Sequence, residues 1–159
     1  MPIEGNFETG AKADGIEVIT TDHRAVEQLF TLIQAATKGE DTELRRELGG
    51  RITRELTVHT TIEEQILYPA VRRYVDDGDD LADRAVEEHQ AVKQLLAKLE
   101  GVAPDDNDYL PGFRELEQQV SQHVHEEEST LLPALRDSVR GEVIYDLGDA
   151  LLQAKASLA

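Results

Sequence analysis

His59-Thr60-Thr61-Ile62-Glu63-Glu64, followed by Leu67, Pro69, Ala70 and Arg72, returns later in the chain as His123-Val124-His125-Glu126-Glu127-Glu128 with Leu131, Pro133, Ala134 and Arg136. Upstream of each copy lies a second matched stretch. Thr21-Asp22-His23-Arg24-Ala25-Val26-Glu27-Gln28-Leu29 aligns with Glu87-Glu88-His89-Gln90-Ala91-Val92-Lys93-Gln94-Leu95. His23 therefore corresponds to His89, His59 to His123, Glu63 to Glu127 and Pro69 to Pro133. The chain is a duplication. Each half is read as a helical hairpin with one His on its first helix and His-x3-Glu on its second. Two such hairpins make an all-α, up-and-down four-helix bundle with approximate two-fold symmetry, its His residues facing a shared axis.

Composition agrees with that reading. The 159 residues are 31% charged and only 4% aromatic, and they include no Cys and no Trp. Segments rich in Glu, Leu, Ala, Arg and Gln favour helix, and runs of alternating β-branched residues are nearly absent. Disulfide scaffolds, zinc fingers and iron–sulfur centres all need cysteine and are excluded. Sixteen Lys and Arg against 33 Asp and Glu leave a net charge of −17, which repels phosphate backbones and anionic lipid surfaces. Nucleic acid and membrane are thus not expected partners, and a monomer or weak homodimer is expected. Met1 to Ile19 has no basic stretch leading into an apolar one, so the expected compartment is the cytoplasm.

Residues 1–19, with Pro2, Gly5, Gly10 and Gly15, read as an N-terminal arm. The bundle is expected over 20–138. Its first helix should start at Thr20 to Asp22 as caps and stop at Gly39, with His23, Val26, Phe30 and Ile33 inward. The second, capped by Asp41, should face Leu44, Leu48, Ile52, Leu56, His59, Glu63, Ile66 and Ala70 to the core, with a bend at Pro69. A turn over Asp76 to Asp80 leads to a third helix ending at Gly101, and Pro111 opens a fourth carrying Leu116, Val120, His123, Glu127 and Leu131. Residues 139–159 hold a short helix without His, expected to pack on the bundle in a structural role.

Residues four apart on a helix differ by about 40° in direction, so His59 and Glu63 present a nitrogen and a carboxylate to one point, as do His123 and Glu127. These pairs are in register with the apolar stripes. In the core, uncompensated imidazoles and carboxylates would cost several kcal/mol. Four imidazoles and two carboxylates suit a first-row transition metal better than magnesium or calcium. If both carboxylates bridge, each of two metals receives two His and two carboxylate oxygens, the layout of a dinuclear non-haem iron centre; the same donors also suit zinc or manganese.

On this pattern, His23, His59-x3-Glu63, His89 and His123-x3-Glu127 with a Pro after each second motif, the chain from about Thr20 to Ser138 resembles hemerythrin-like proteins of the HHE cation-binding family. The resemblance implies two iron ions with an oxo or hydroxo bridge, reacting with dioxygen, nitric oxide or peroxide. It implies terminal ligands His23, His59, His89 and His123 and bridging carboxylates Glu63 and Glu127. The chain departs from the oxygen carriers of that family, which have His-x3-His on the third helix; here His89 is followed by Lys93. Glu27, Glu55 or a tyrosine are candidates for the vacancy, and Glu27 or Lys93 for moving protons. The function expected is binding or sensing of dioxygen or nitric oxide, or iron handling; the alternative is an enzyme that disproportionates hydrogen peroxide.

The remaining polar residues have plainer readings. His125, two positions after His123, points to the surface. Glu64, Glu126 and Glu128 read as a solvated face. The Asp-rich turns lack the order of an EF-hand, no Glu lies three residues before a His as in ferritin-like sites, and no His-Glu-x-x-His occurs.

Overall fold

The computed structural model describes residues 13–36 and 41–158. Residues 1–12 of the expected arm, and Gly39 as a helix stop, lie outside them. The described chain forms α1 (Gly15–Ala35), α2 (Thr42–Ile62), a π-helical turn (Glu63–Leu67), α3 (Tyr68–Tyr74), α4 (Gly78–Glu100), α5 (Tyr109–Glu126), a second π-helical turn (Glu127–Leu131), α6 (Leu132–Ser138) and α7 (Gly141–Leu158). The α1, α2–α3, α4 and α5–α6 rods are the four-helix bundle anticipated from the repeat, with α7 laid against α1, α2 and the first π turn.

The first helix begins earlier than Thr20. Asp14 accepts hydrogen bonds from the Ile16 and Glu17 amides at 2.8 and 3.2 Å, which caps α1 at Gly15 and leaves Asp22 in the helix interior. What holds this added turn is α7. A Cβ placed on Gly148 would stand 1.9 Å from the Ala13 carbonyl oxygen, and one on Gly15 2.9 Å from Leu147 Cβ, so the two helices meet at a pair of residues without side chains. The third helix also starts early, at Gly78. Asp79 and Asp80 then occupy its first turn, where their charge complements the helix dipole, instead of lying in a turn.

Pro69 and Pro133 each follow a π turn rather than a simple bend. In the two turns the Tyr68 amide bonds the Glu63 carbonyl and the Leu132 amide bonds the Glu127 carbonyl, five residues back. A proline ring one position further on would press on the carbonyl four residues before it, and widening the turn relieves that clash. The wider turn also rotates the following residues, so that Tyr68, five positions beyond Glu63, still faces the core and is 2% exposed.

The core is two apolar clusters separated by a polar layer. One gathers Phe30, Ile33, Ile52, Leu56, Val92 and Leu116, and the other Ile19, Ile62, Leu67, Val71, Leu135 and Leu151. Leu44, expected in the inward stripe, is 43% exposed, because α2 is not yet covered so near its start. Between the clusters lie His23, His59, Glu63, His89, His123 and Glu127, all buried.

Candidate metal centre

The six residues singled out by the repeat come together. Two groups form, each with four donor atoms within 4.8 Å of one another: His23, His59, Glu63 and Glu127, and Glu63, His89, His123 and Glu127. Both carboxylates belong to both groups, as bridging residues must. In the first group His59 Nε2 is 2.9 Å from Glu63 Oε2, and His23 Nε2 is 3.1 Å from Glu127 Oε1. These four buried atoms nevertheless make no hydrogen bond. Buried polar atoms are almost always satisfied, and four orphans in one place fit a cation held among them.

The second group is organised differently. Tyr68, carried inward by the first π turn, donates its hydroxyl to Glu127 Oε2 at 2.6 Å and stands 3.0 Å from both Glu63 Oε1 and His89 Nε2. Its counterpart in the second half is Leu132, so the two-fold symmetry of the ligands is broken at this one side chain. Glu27 and Glu55, expected as candidates for the same vacancy, join neither group. Glu27 pairs with Arg24 at 3.2 Å, and Lys93 with Glu64 at 3.1 Å, both on the outside of the layer.

Behind each imidazole stands a carboxylate. His23 Nδ1 meets Glu128 at 2.7 Å, His59 Nδ1 meets Asp22 at 3.0 Å, His89 Nδ1 meets Glu64 at 2.6 Å and His123 Nδ1 meets Glu88 at 2.6 Å. Such an acceptor keeps the proton on Nδ1 and aims the Nε2 lone pair inward, the arrangement that supports histidine as a metal ligand. Glu64 and Glu128 are thus not a solvated face, and Asp22 is not a cap. An outer ring of cations follows: Arg24 on Glu128, Lys93 on Glu64 and Lys155 on Asp22 at 2.5 Å. Lys155 comes from α7, which therefore supplies a charge as well as packing. The signal for this second ring was in the repeat: an acid directly before His23 and His89, and one directly after Glu63 and Glu127. His125 and Glu126 are exposed, as expected.

The electrostatics describe a cage that holds positive charge. Burial alone would lower the His59 pKa, but the Glu63 carboxylate and the Asp22 hydrogen bond push it up to about 10. His123, opposed by burial in the same way, is pushed up to about 12 by Glu127, Glu63 and Glu88. Burial tends to raise Glu63, yet the His59 charge and the His123 and His89 imidazoles close by hold it well below the usual carboxylate range. Burial and the two carboxylates together push the Tyr68 phenol well above its ordinary value.

A model of the hemerythrin HHE cation-binding domain matches residues 14–135. The chain belongs to this family. It is 34% identical over 142 residues to a protein of Nostoc sp. PCC 7120 named a DNA nickase, covering 89% of this chain and 39% of that one. It is 28% identical over 140 residues to an uncharacterised hemerythrin-like protein of Schizosaccharomyces pombe, covering 87% of this chain and 68% of that one. A crystal structure of an HHE domain-containing protein from Mycobacterium kansasii superposes with a TM-score of 0.77 at 22% identity, over 93% of this chain and 87% of the other. The fold is shared with that protein, and the HHE family together with buried His and Glu groups able to hold a metal ion points to metal binding. No described helix is long and apolar enough to cross a membrane.

Proposed function

We propose that the chain is a non-haem di-iron protein that binds dioxygen, nitric oxide or peroxide. The observation that carries the reading is the set of four buried, unpartnered donor atoms, His23 Nε2, His59 Nε2, Glu63 Oε2 and Glu127 Oε1, beside a second set built from the same two carboxylates. His23 and His59 would hold one ion, His89 and His123 the other, with Glu63 and Glu127 shared between them. When bound, the ion pair supplies redox and Lewis-acid chemistry toward small oxygen and nitrogen ligands. The protein's own contribution is orientation and exclusion. The four Nδ1 contacts lock the imidazoles, and a mostly apolar cavity of about 20 Å³ beside the rings, walled in part by Val26, Leu56, Val92 and Val120, is sized for one small molecule.

The second reading, disproportionation of hydrogen peroxide, is favoured by Tyr68 and by the missing fifth imidazole. In that reaction two peroxides give two waters and one dioxygen, and protons must move between them. The Tyr68 hydroxyl, 2.6 Å from Glu127, is a buried proton-bearing group at the layer itself. Glu27 and Lys93 sit outside, each in an ion pair, and are not proposed for that task. DNA nicking is not proposed for this chain, whose charge of −17 opposes a phosphate backbone and which spans 39% of the relative carrying that name.

Metal analysis of the purified protein, with optical spectra before and after hydrogen peroxide and oxygen release followed in the same cuvette, tests both readings. Two irons per chain and rapid oxygen evolution support the enzyme. Two irons with a spectrum that responds reversibly to dioxygen, and no peroxide turnover, support the binding protein. A folded chain that takes up no metal refutes both.

A further inference from the structure

The repeat gives the two halves equivalent surfaces flanking the polar layer, and the chain treats them differently. In the first half that surface carries Val18, Ile19 and Asp22 from α1 with Ile62 and Ile66 from the α2 side. α7 lies over it. Ile19 and Ile62 are fully buried in one cluster with Ile144 and Leu151, and Lys155 closes the row on Asp22. At the matching positions of the second half stand Arg84, Ala85, Glu88, Glu126 and Thr130, polar or small where the first half, Asp22 apart, is apolar and bulky. No helix covers them among the described residues. Arg84, Glu126 and Thr130 are exposed, and Glu88, the counterpart of Asp22, makes no ion pair with a Lys or Arg among the described residues. The result is a cavity of about 20 Å³ between α4 and α5 that runs from Arg84 and Glu126 at its mouth to His123 and Glu127 at its floor.

We propose that this groove is the passage by which a small uncharged ligand reaches the centre, and that α7 seals the equivalent passage in the first half. The proposal rests on the metal reading of the polar layer given above. The volume admits one water-sized molecule at a time. Across the mouth stands the solvent-exposed Arg84–Glu126 pair, 3.8 Å apart, and the long Arg84 side chain narrows the way in. Access is one-sided because a single added helix can cover only one of two symmetry-related surfaces. The sequence records that choice: the covered half is apolar, as burial requires, and the open half is polar, as contact with water requires.

Nitric oxide is a suitable probe, being uncharged and diatomic, and its association with the ferrous-loaded protein is followed by stopped-flow absorbance. Thr130→Trp places a bulky ring at the mouth from an exposed position. It should keep the wild-type metal content and slow association by about tenfold, equal to an added barrier of about 1.4 kcal/mol. Leu152→Trp, a comparable insertion on exposed α7 of the sealed half, should leave the rate unchanged. Arg84→Ala, which widens the mouth, should raise it. A wild-type rate in Thr130→Trp at full metal content overturns the passage and leaves the metal reading standing. Should Thr130→Trp not fold, an unchanged rate in Arg84→Ala overturns it equally. A wild-type chain that holds no metal overturns the metal reading and this passage with it.

Discussion

Removing the carboxylate behind one imidazole should weaken one metal position and spare the other. Glu64 Oε2 lies 2.6 Å from Nδ1 of His89, whose ring is fully buried, and the bond is charge-assisted. Hydrogen bonds to charged groups contribute about 1.5 to 3 kcal/mol. Glu64 keeps 27% of its side chain in water and shares its charge with Lys93, so the lower end, about 1.5 kcal/mol, applies. In Glu64→Gln the second-group affinity should therefore fall by about tenfold, the lower edge of the range seen when such supporting residues are lost. The assay is competition with a chelator of known affinity, with metal content read at each chelator concentration. Half of the bound metal should be released earlier than in wild type and half at the same point. Glu126→Gln, in the other half of the bundle and paired with Arg84 instead of an imidazole, should leave the curve unchanged. Equal retention in Glu64→Gln and wild type, or an equal loss in Glu126→Gln, would refute the claim that these carboxylates act through the imidazoles.

Other outcomes follow from the same geometry. Tyr68→Phe should keep the metal content but alter the visible spectrum of the ferric protein, since it removes an oxygen that reaches Glu63, Glu127 and His89 together; an unchanged spectrum would place the phenol outside the coordination sphere. His59→Ala or His123→Ala should abolish metal loading while His125→Ala retains it, measured by metal analysis after identical reconstitution. For the metal-stripped protein the His59 and His123 pKa values, about 10 and about 12, lie above their unfolded value, so the stability they contribute is complete below about pH 6.5 and drains away as pH rises through those folded values. Glu63, Asp22 and Glu128 are held below their usual values, so their contribution is present above about pH 4.5 and is lost on acidification. Thermal melts across pH should thus peak between about pH 4.5 and 6.5, and metal binding at neutral pH should release protons, detectable with an indicator dye in weak buffer. A duplex DNA fragment should neither shift nor be nicked at low salt, where electrostatic attraction would be greatest if it existed.

Most of the architecture and all six layer residues were legible in the letters because the repeat reports them twice. A lone His on an apolar stripe is ambiguous, but His23 with His89, and His59-x3-Glu63 with His123-x3-Glu127, constrain each other through the helical period. The outer carboxylates were equally repeated and were still misread. Glu64 lies one residue past Glu63, about 100° further round the helix, a direction that on a single rod means solvent. It becomes a partner of His89 only because α4 packs alongside and fills that direction. Asp22 reads locally as a cap, and the docking of α7 that prolongs α1 to Gly15 comes from distant residues, Gly148 and Leu147, whose fit no local pattern displays.

Tyr68 marks the boundary between the two kinds of information. Its position relative to Glu63 in a regular α-helix turns it away from the layer, and the π turn that brings it back depends on how Pro69 is accommodated inside a packed bundle. By itself the sequence determined the duplication, the helical class, the acidic surface and the six inward donors, because these follow from composition and from a period of 3.6 residues that acts within one helix. Only the tertiary structure decided which carboxylate stands behind which imidazole, that a tyrosine breaks the symmetry of the centre, and that one face of the bundle is sealed while the other stays open. Those outcomes depend on contacts between helices, where position is set by packing of the whole core and not by the spacing of residues along any one of them.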